Sequence, residues 1–254
     1  MSLIVPGKRV VAVLPAYNAA KTLARTIRDI HRDWIDDIIL VDDASSDATV
    51  EIAKRLGLRV FVHDRNRGYG GNQKTCYEEA LKLGADYVIM IHPDHQYDPR
   101  LVPRLLAPLM FEHVDSVFGS RMMQSKGARS GGMPWWKYIA NKVLTFVANR
   151  ALGLSLTEYH SGFRAYSRKV LEQLPFHRNS DDFVFDTEII IQHKLAGMEI
   201  VEIPISTRYF PEASMIGFRR SVAYGLSILK NLCQYYLHTK GIVRYEKFDI
   251  GSRI

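Results

Sequence analysis

Cysteine is almost missing: Cys76 and Cys233 are the only two among 254 residues, far apart and with no Cys or His nearby at metal-binding spacing. That scarcity argues against a disulfide framework and a structural zinc site, and it fits a reducing, cytoplasmic compartment. Long apolar runs are missing too. Val143 to Val147 gives way to Asn149 and Arg150, and Ala223 to Leu229 is closed by Lys230 and Asn231. Both fall well short of the roughly 20 apolar residues a membrane-spanning helix needs. No leader peptide is expected, because Pro6 and Lys8 precede any apolar run. There is no internal repeat, no low-complexity tract and no aromatic-plus-basic nucleic-acid motif. Acidic residues are outnumbered, 27 against 34 basic, for a net charge of +7. The excess favours anionic partners such as nucleotides, phosphorylated lipids or a membrane surface.

What is present reads as an α/β fold. Val10 to Leu14, Ile38 to Val41, Arg59 to Val62, Tyr87 to Ile91 and Ser116 to Phe118 are short runs of strand formers, most of them almost continuously apolar. Such runs suit strands covered on both faces of a parallel sheet. Helical stripes lie between them: Leu23, Ile27 and Ile30; Ile52 and Leu56; Cys76, Ala80 and Leu83. Strand–helix alternation predicts a doubly wound sheet, with ligands beyond the carboxyl ends of the strands. Farther on, Lys126 to Gly132 reads as a mobile loop, Trp135 to Leu154 as an apolar helix, Ile200 to Ser206 as a strand and Ser221 to His238 as an amphipathic helix.

The strand ends carry polar groups. Pro15-Ala16-Tyr17-Asn18 follows the first strand, and Asp42-Asp43-Ala44-Ser45-Ser46-Asp47 the second. His92-Pro93-Asp94-His95-Gln96 ends the fourth, and Gly119-Ser120-Arg121 the fifth. Turns alone would not need carboxylates at two of these ends. The chain continues with Ser161-Gly162-Phe163-Arg164, Asp186-Thr187-Glu188, Glu212-Ala213-Ser214 and Phe218-Arg219-Arg220. In this order the segments resemble the inverting family 2 glycosyltransferases of GT-A fold, in the branch of dolichol-phosphate mannosyltransferases and related polyprenyl-phosphate glycosyltransferases. The likeness runs from Val10 to about Tyr236.

The resemblance implies roles. Pro15, Ala16, Tyr17 and Asn18 would line the nucleotide pocket, Asp42 would contact the base, and Asp43 would neighbour it. The alternative for both aspartates is turn or helix capping. Asp94 and Gln96 match the second Asp and the Gln of the family's Asp-x-Asp-x-Gln motif, which supplies a divalent ion bridging the donor diphosphate. His92 replaces the first Asp, and could be a ligand, a donor to the nucleotide or a packed histidine. Oxygen ligands favour Mg²⁺ or Mn²⁺. Arg121 matches an arginine near the donor phosphates or sugar, with a surface ion pair as its alternative. Asn66-Arg67-Gly68 matches an Asn-x-Gly loop, which puts Gly68 at the nucleotide. Lys74 would reach the diphosphate from the helix start or stand solvated. Asp186 and Glu188 match an acidic motif that holds the base for hydroxyl acceptors, while an anionic phosphate needs none; the alternative is a helix N-cap at Asp186 with Glu188 in the first turn. Arg164 would contact acceptor phosphate or donor, or make an internal ion pair.

The basic and tyrosine-rich C-terminal helix, with Trp135 and Trp136 in the preceding loop, suits a headgroup layer; a core-packed helix or a dimer interface in a homo-oligomer is the other reading. The expected organisation is a GT-A domain over 1–210, with a nucleotide-sugar half near 1–121 and an acceptor half near 122–210. An amphipathic extension without a transmembrane helix would follow at 211–254. The expected activity is metal-dependent, inverting transfer of a sugar from a GDP- or UDP-sugar to a polyprenyl phosphate on the cytoplasmic membrane face, with a glycan or other hydroxyl acceptor second. Two rivals belong to other classes. Gly68-Tyr69-Gly70-Gly71-Asn72-Gln73-Lys74-Thr75 lacks only one glycine of a phosphate-binding loop, which admits a nucleotide hydrolase or kinase. The charge alone admits a non-catalytic binder of anionic surfaces.

Overall fold

The computed structural model describes residues 6–123, 131–208 and 217–251. Most of the loop expected at 126–132, and the Glu212-Ala213-Ser214 segment, lie outside the described residues. Among the described residues, seven strands form one sheet in the order β3-β2-β1-β4-β6-β5-β7. They are β1 (Val10–Ala16), β2 (Asp37–Asp42), β3 (Arg59–Val62), β4 (Tyr87–Met90), β5 (Ser116–Ser120), β6 (Arg164–Ser167) and β7 (Ile200–Pro204). Only β6 runs against its neighbours, antiparallel to both β4 and β5.

β1 is central, and Val10 through Leu14 are fully buried. Val11 and Val13 enter one core, while Val10, Ala12 and Leu14 enter the core on the opposite face. Removing either side chain set from water contributes about 1.5–3 kcal/mol for each large residue, so the strand has no face left for polar residues. This is why the apolar run is continuous rather than alternating. Helices α1 (Leu23–Arg28), α2 (Thr49–Arg55), α3 (Gly68–Lys82) and α4 (Val102–Ala107) accompany the first strands. α5 (Trp135–Leu152), α6 (Arg168–Gln173), α7 (Phe185–Ala196) and α8 (Phe218–Thr239) follow. α7 is buried on nearly every side, including its polar residues Asp186, Glu188, Gln192 and His193. Such a helix belongs inside the protein and not at its surface.

The sequence of connections reverses direction between β1 and β4, since β2 and β3 lie to one side of β1 and β4 to the other. Ala16 pairs with Asp42, and Val13 with Met90, so the ends of β1, β2 and β4 reach one rim. That reversal is where open α/β sheets leave a crevice for ligands. Two expectations are corrected here. Trp135 and Trp136 form the first turn of α5 and do not sit in a loop, and Asp186 is not an N-cap, because α7 begins at Phe185 with Val184 in the capping position.

His193 illustrates what the buried polar residues cost. Its Nδ1 bonds the Ile189 carbonyl at 2.7 Å and its Nε2 meets Ser116 Oγ at 2.7 Å. Burial pulls its pKa down to about 4. The unfolded chain binds that proton near pH 6.5, so the neutral ring's contribution is complete above pH 6.5 and is lost as the pH falls toward 4. Lowering the pH from 7.5 to 5 is expected to remove about 2 kcal/mol through His193. Urea unfolding of the protein and of His193→Gln at both pH values checks this. Equal pH sensitivity in the two would refute it.

Candidate active site

A cleft of about 920 Å³ opens at the rim. Pro15, Ala16, Tyr17, Asn18, Asp43, Gly68, Asp94, Gln96, Arg121 and Asp186 all line it. The backbone at the rim is unusual: Asn18, Ala44 and His95, one after each of β1, β2 and β4, have φ of 51°, 59° and 59°. Left-handed non-glycine residues are uncommon and gather where a site demands a particular turn. At Asn18 the turn is fixed by Ser45 and Ser46, whose groups bond its N–H at 2.8 Å and its Oδ1 at 2.9 Å.

His95 shows what its turn achieves. Its imidazole is fully buried on the other side, 3.0 Å from Asp29, while Asp94 and Gln96 on either side face the cleft. Asp94 Oδ1 accepts the Gln96 N–H at 3.0 Å, closing the turn. A carboxylate and a carboxamide thus stand two residues apart on one wall. As hard oxygen donors they fit Mg²⁺ or Mn²⁺. Among the described residues no group of three or more His, Cys, Asp or Glu could enclose an ion. A cation held by Asp94 and Gln96 would complete its shell with water or ligand oxygens. His92 also lines the cleft, stacked on Tyr69 at 5.8 Å between centroids, and its Nε2 is buried with no hydrogen-bond partner among the described residues. Burial lowers its pKa, and a Cβ at Gly162 would collide with its Nε2.

Asp43 works as a clamp. It accepts the N–H groups of Arg67 and Gly68 at 2.7 and 3.0 Å and bonds His63 Nδ1 at 2.8 Å. His63 Nε2 in turn meets Thr75 Oγ1 at 2.9 Å. Asp42 is fully buried and does not line the cleft; Oδ2 accepts the Ser45 N–H at 2.8 Å, and Oδ1 has no partner. An orphaned buried carboxylate oxygen is expensive.

Asp186 lines the cleft with both oxygens engaged. Oδ2 accepts the Tyr69 hydroxyl at 2.9 Å; Oδ1 lies 3.4 Å from Gln73 Nε2 and 3.3 Å from the Arg164 guanidinium. Arg164 itself is 1% exposed and does not reach the cleft. It bonds the carbonyls of Ser161, Tyr159 and Asp186 at 2.7, 2.9 and 3.2 Å, which makes it the internal ion pair of the two expectations. Glu188 also turns away, bonded to the Ser180 N–H at 2.6 Å and Lys247 Nζ at 2.7 Å. Lys74 bonds Asn179 O and Asp181 Oδ1 and does not line the cleft. The near-match to a phosphate loop fails for a related reason: Gly70 and Gly71 donate their N–H groups to Asp181 O, at 2.7 and 3.3 Å. Those amides are not offered to a phosphate.

Arg121 ends β5 in a basic corner. Glu158 receives its backbone N–H at 2.7 Å, its Nε at 2.8 Å and its Nη2. Asn141 donates to the same carboxylate at 2.8 Å. Although burial opposes ionisation, the Arg121 guanidinium keeps the Glu158 carboxyl below its usual range. Lys137 and Arg220 line the cleft with Arg121. Burial and the Arg121 charge lower the Lys137 pKa, a sign that cations are crowded there. Around them the wall turns apolar with Met133, Trp136, Ala140, Leu144 and Tyr224. Outside, α5 exposes Trp135, Ile139, Val143 and Phe146, and α8 exposes Val222, Leu226 and Leu229. Glu158, Asn141, Lys137, Tyr69 and Tyr97 were not found from sequence. Tyr69 lies within the Gly68–Thr75 motif and Lys137 within the helix expected from Trp135, but Glu158 lies in an unremarkable stretch and gains its partner only when β5 is placed.

A mostly parallel seven-stranded sheet flanked by helices, with its cleft at the strand ends, has the GT-A fold of glycosyltransferases. The chain belongs to glycosyl transferase family 2, whose model matches residues 11–175, and it is an enzyme of the hexosyltransferase kind. It is 34% identical over 197 residues to an uncharacterized protein of Methanocaldococcus jannaschii, covering 78% of this chain and 80% of that one. It is 28% identical to the UDP-N-acetylglucosamine–dolichyl-phosphate N-acetylglucosaminyltransferase of Methanococcus voltae, covering 88% and 96% of the two chains. Identity to the undecaprenyl-phosphate mannosyltransferase of Micrococcus luteus is 27%, covering 82% and 88%. Among solved structures, glucosyl-3-phosphoglycerate synthase from Mycobacterium tuberculosis in complex with Mn²⁺, UDP and phosphoglyceric acid superposes with a TM-score of 0.70 at 22% identity. That match covers 90% of this chain and 78% of the other, and shares the fold.

Proposed function

We propose that the enzyme moves a hexose from a nucleoside diphosphate sugar to the phosphate of a polyprenyl phosphate, with inversion, at a membrane surface. The observation that carries this is the basic corner of Arg121, Lys137 and Arg220, set where the cleft walls become two helices with outward apolar stripes. A phosphate fits the cations, and a prenyl chain fits the apolar exit. The relatives named for dolichyl and undecaprenyl phosphate support the same acceptor class. In this scheme the donor occupies a half near 1–121, the acceptor a half near 122–210, and 211–254 is an extension laid against the latter. Within that extension Ile228, Leu232 and Phe248 join the core. The apolar stripes, rimmed by Arg219, Lys142 and Lys230, would rest on anionic headgroups.

In the reaction an acceptor oxygen attacks the anomeric carbon from the face opposite the diphosphate, whose bond to that carbon breaks. Asp42 would accept an N–H of the base, with Pro15 to Asn18 and Gly68 around the nucleoside. Asp94 and Gln96 would hold a divalent cation, which when bound neutralises charge on the departing diphosphate. Asp186 already accepts hydrogen bonds at both oxygens. A hydroxyl acceptor would need such a carboxylate within reach to take its proton, whereas an ionised phosphate oxygen brings no proton to remove.

The experiment is transfer of labelled hexose from GDP- and UDP-sugars, with Mg²⁺ or Mn²⁺, to vesicles carrying a polyprenyl phosphate, beside a matching free polyprenol and a soluble glycan. Labelled lipid is expected only with the phosphate, and the protein is expected to float with anionic vesicles. Transfer to the glycan or polyprenol instead would reverse the acceptor assignment.

A further inference from the structure

The Gly68–Thr75 stretch contributes more than Gly68 to the cleft, and Tyr69, Gly70, Gly71 and Lys74 all contact residues 179–183. Gly70 and Gly71 donate to Asp181 O. A Cβ at Gly70 would collide with the Ser180 carbonyl oxygen, so only glycine permits this approach. Lys74 bonds Asp181 Oδ1 at 2.7 Å and the Asn179 carbonyl. From the other side, Glu188 Oε2 accepts the Ser180 N–H at 2.6 Å, and its Oε1 takes Lys247 Nζ at 2.7 Å. Lys247 Nζ also reaches Asn231 Oδ1 on α8 at 2.6 Å. The next residues, Asp182 and Phe183, line the cleft, and the Phe183 ring lies 4.8 Å from that of Tyr69, the residue bonded to Asp186.

We propose that residues 179–183 are a latch between the nucleotide wall and the acceptor wall, and that Lys74 and Lys247 are positioning residues setting it from opposite sides. The proposal rests on the transferase function above. Glu188 is 2% exposed, so its carboxylate cannot easily lose its cation. Removing Lys247 would leave a buried charge uncompensated, and the accessible relief is outward movement of the Ser180 loop. That movement would carry Phe183 away from Tyr69 and loosen the Gly70–Gly71 contact. A C-terminal lysine distant from the chemistry would thereby control how the reacting groups meet. Glu188, on this view, acts on the latch rather than on the acceptor proton.

Hydrogen exchange on the unliganded protein and on Lys247→Met, followed by kinetics on the same samples, tests this. The amides of Ser180, Gly70 and Gly71 are expected to exchange about tenfold faster in the variant while those of β1 are unchanged. At saturating donor and acceptor, kcat is expected to fall about tenfold or more, because small misplacements are costly in transfer reactions. Lys247→Arg should recover most of both losses. The latch is overturned if exchange quickens at Ser180 without reaching Gly70 and Gly71, or if kcat stays within about twofold while thermal stability drops. Should Lys247→Met fail to fold, Lys74→Met, which removes the cation holding residues 179–183 from the other side, is read by the same exchange and kinetics. A wild-type protein that transferred no hexose would count against the proposed function, and the exchange arm would still decide the latch.

Discussion

Asp94→Asn is expected to lower hexose transfer by about two to three orders of magnitude, with little loss of fold. Asparagine keeps the size of the side chain and an Oδ1 that can still accept the Gln96 N–H, the bond that closes the turn at 3.0 Å. What disappears is one unit of negative charge on the wall facing the cleft. Stabilising a departing diphosphate with a bound cation is worth several kcal/mol, and each 1.4 kcal/mol is a factor of ten in rate. Weakening the cation at Asp94 and Gln96 by about 3 to 4 kcal/mol therefore gives the stated loss. A second readout does not depend on turnover. The melting-temperature rise caused by a nucleoside diphosphate should be larger with Mn²⁺ or Mg²⁺ than with EDTA, and that difference should vanish in Asp94→Asn. If the variant keeps both its rate and its metal-dependent stabilisation, Asp94 is not the ligand.

Much of this site was legible because its residues lie at strand ends. A strand covered on both faces must be apolar, so the first polar residues after it mark the rim, and Asn18, Asp43, Asp94 and Arg121 follow directly from that pattern. β6 was not read as a strand. It is four residues long and opens on Arg164, whose charge looks incompatible with a sheet interior until three carbonyls and Asp186 are placed around it. Charges were harder than strands for a general reason. Lys74 and Glu188 have the residue types and the spacing of ligand-binding groups, yet their partners come from 107 and 59 positions away in the chain. Nothing local announces such a partner. The same limit hid Glu158, which stands 37 positions from the arginine it orients. Local sequence identified groups able to do chemistry; only packing separated those that meet a ligand from those that hold the wall in place.

Glu158→Gln is expected to cost nearly as much activity as loss of Arg121 itself. The carboxylate of Glu158 is fully enclosed and receives the Arg121 backbone N–H, its Nε and its Nη2, together with Asn141 Nδ2. These bonds fix the plane of the guanidinium, and the His160 carbonyl, 3.1 Å from Nη2, completes the cage. Glutamine retains an acceptor oxygen but presents an N–H₂ where the carboxylate accepted, so one donor must face another. Arg121 would swing from its place beside Lys137, taking with it a fixed positive charge aimed at phosphate oxygens. Losing one such preorganised group costs about 10²- to 10³-fold in rate. Breaking a buried ion pair also destabilises the fold, by about 3–5 kcal/mol, so kinetics must be measured well below the variant's melting temperature. Arg121→Lys separates charge from geometry, because an ammonium keeps the sign but not the planar fork. Both variants should lose kcat while nucleoside diphosphate affinity changes less, which places the guanidinium at the transferring centre rather than at the base. An Arg121→Lys enzyme with wild-type kcat would show instead that charge alone suffices there, and that the caging of its guanidinium by Glu158 serves only the fold.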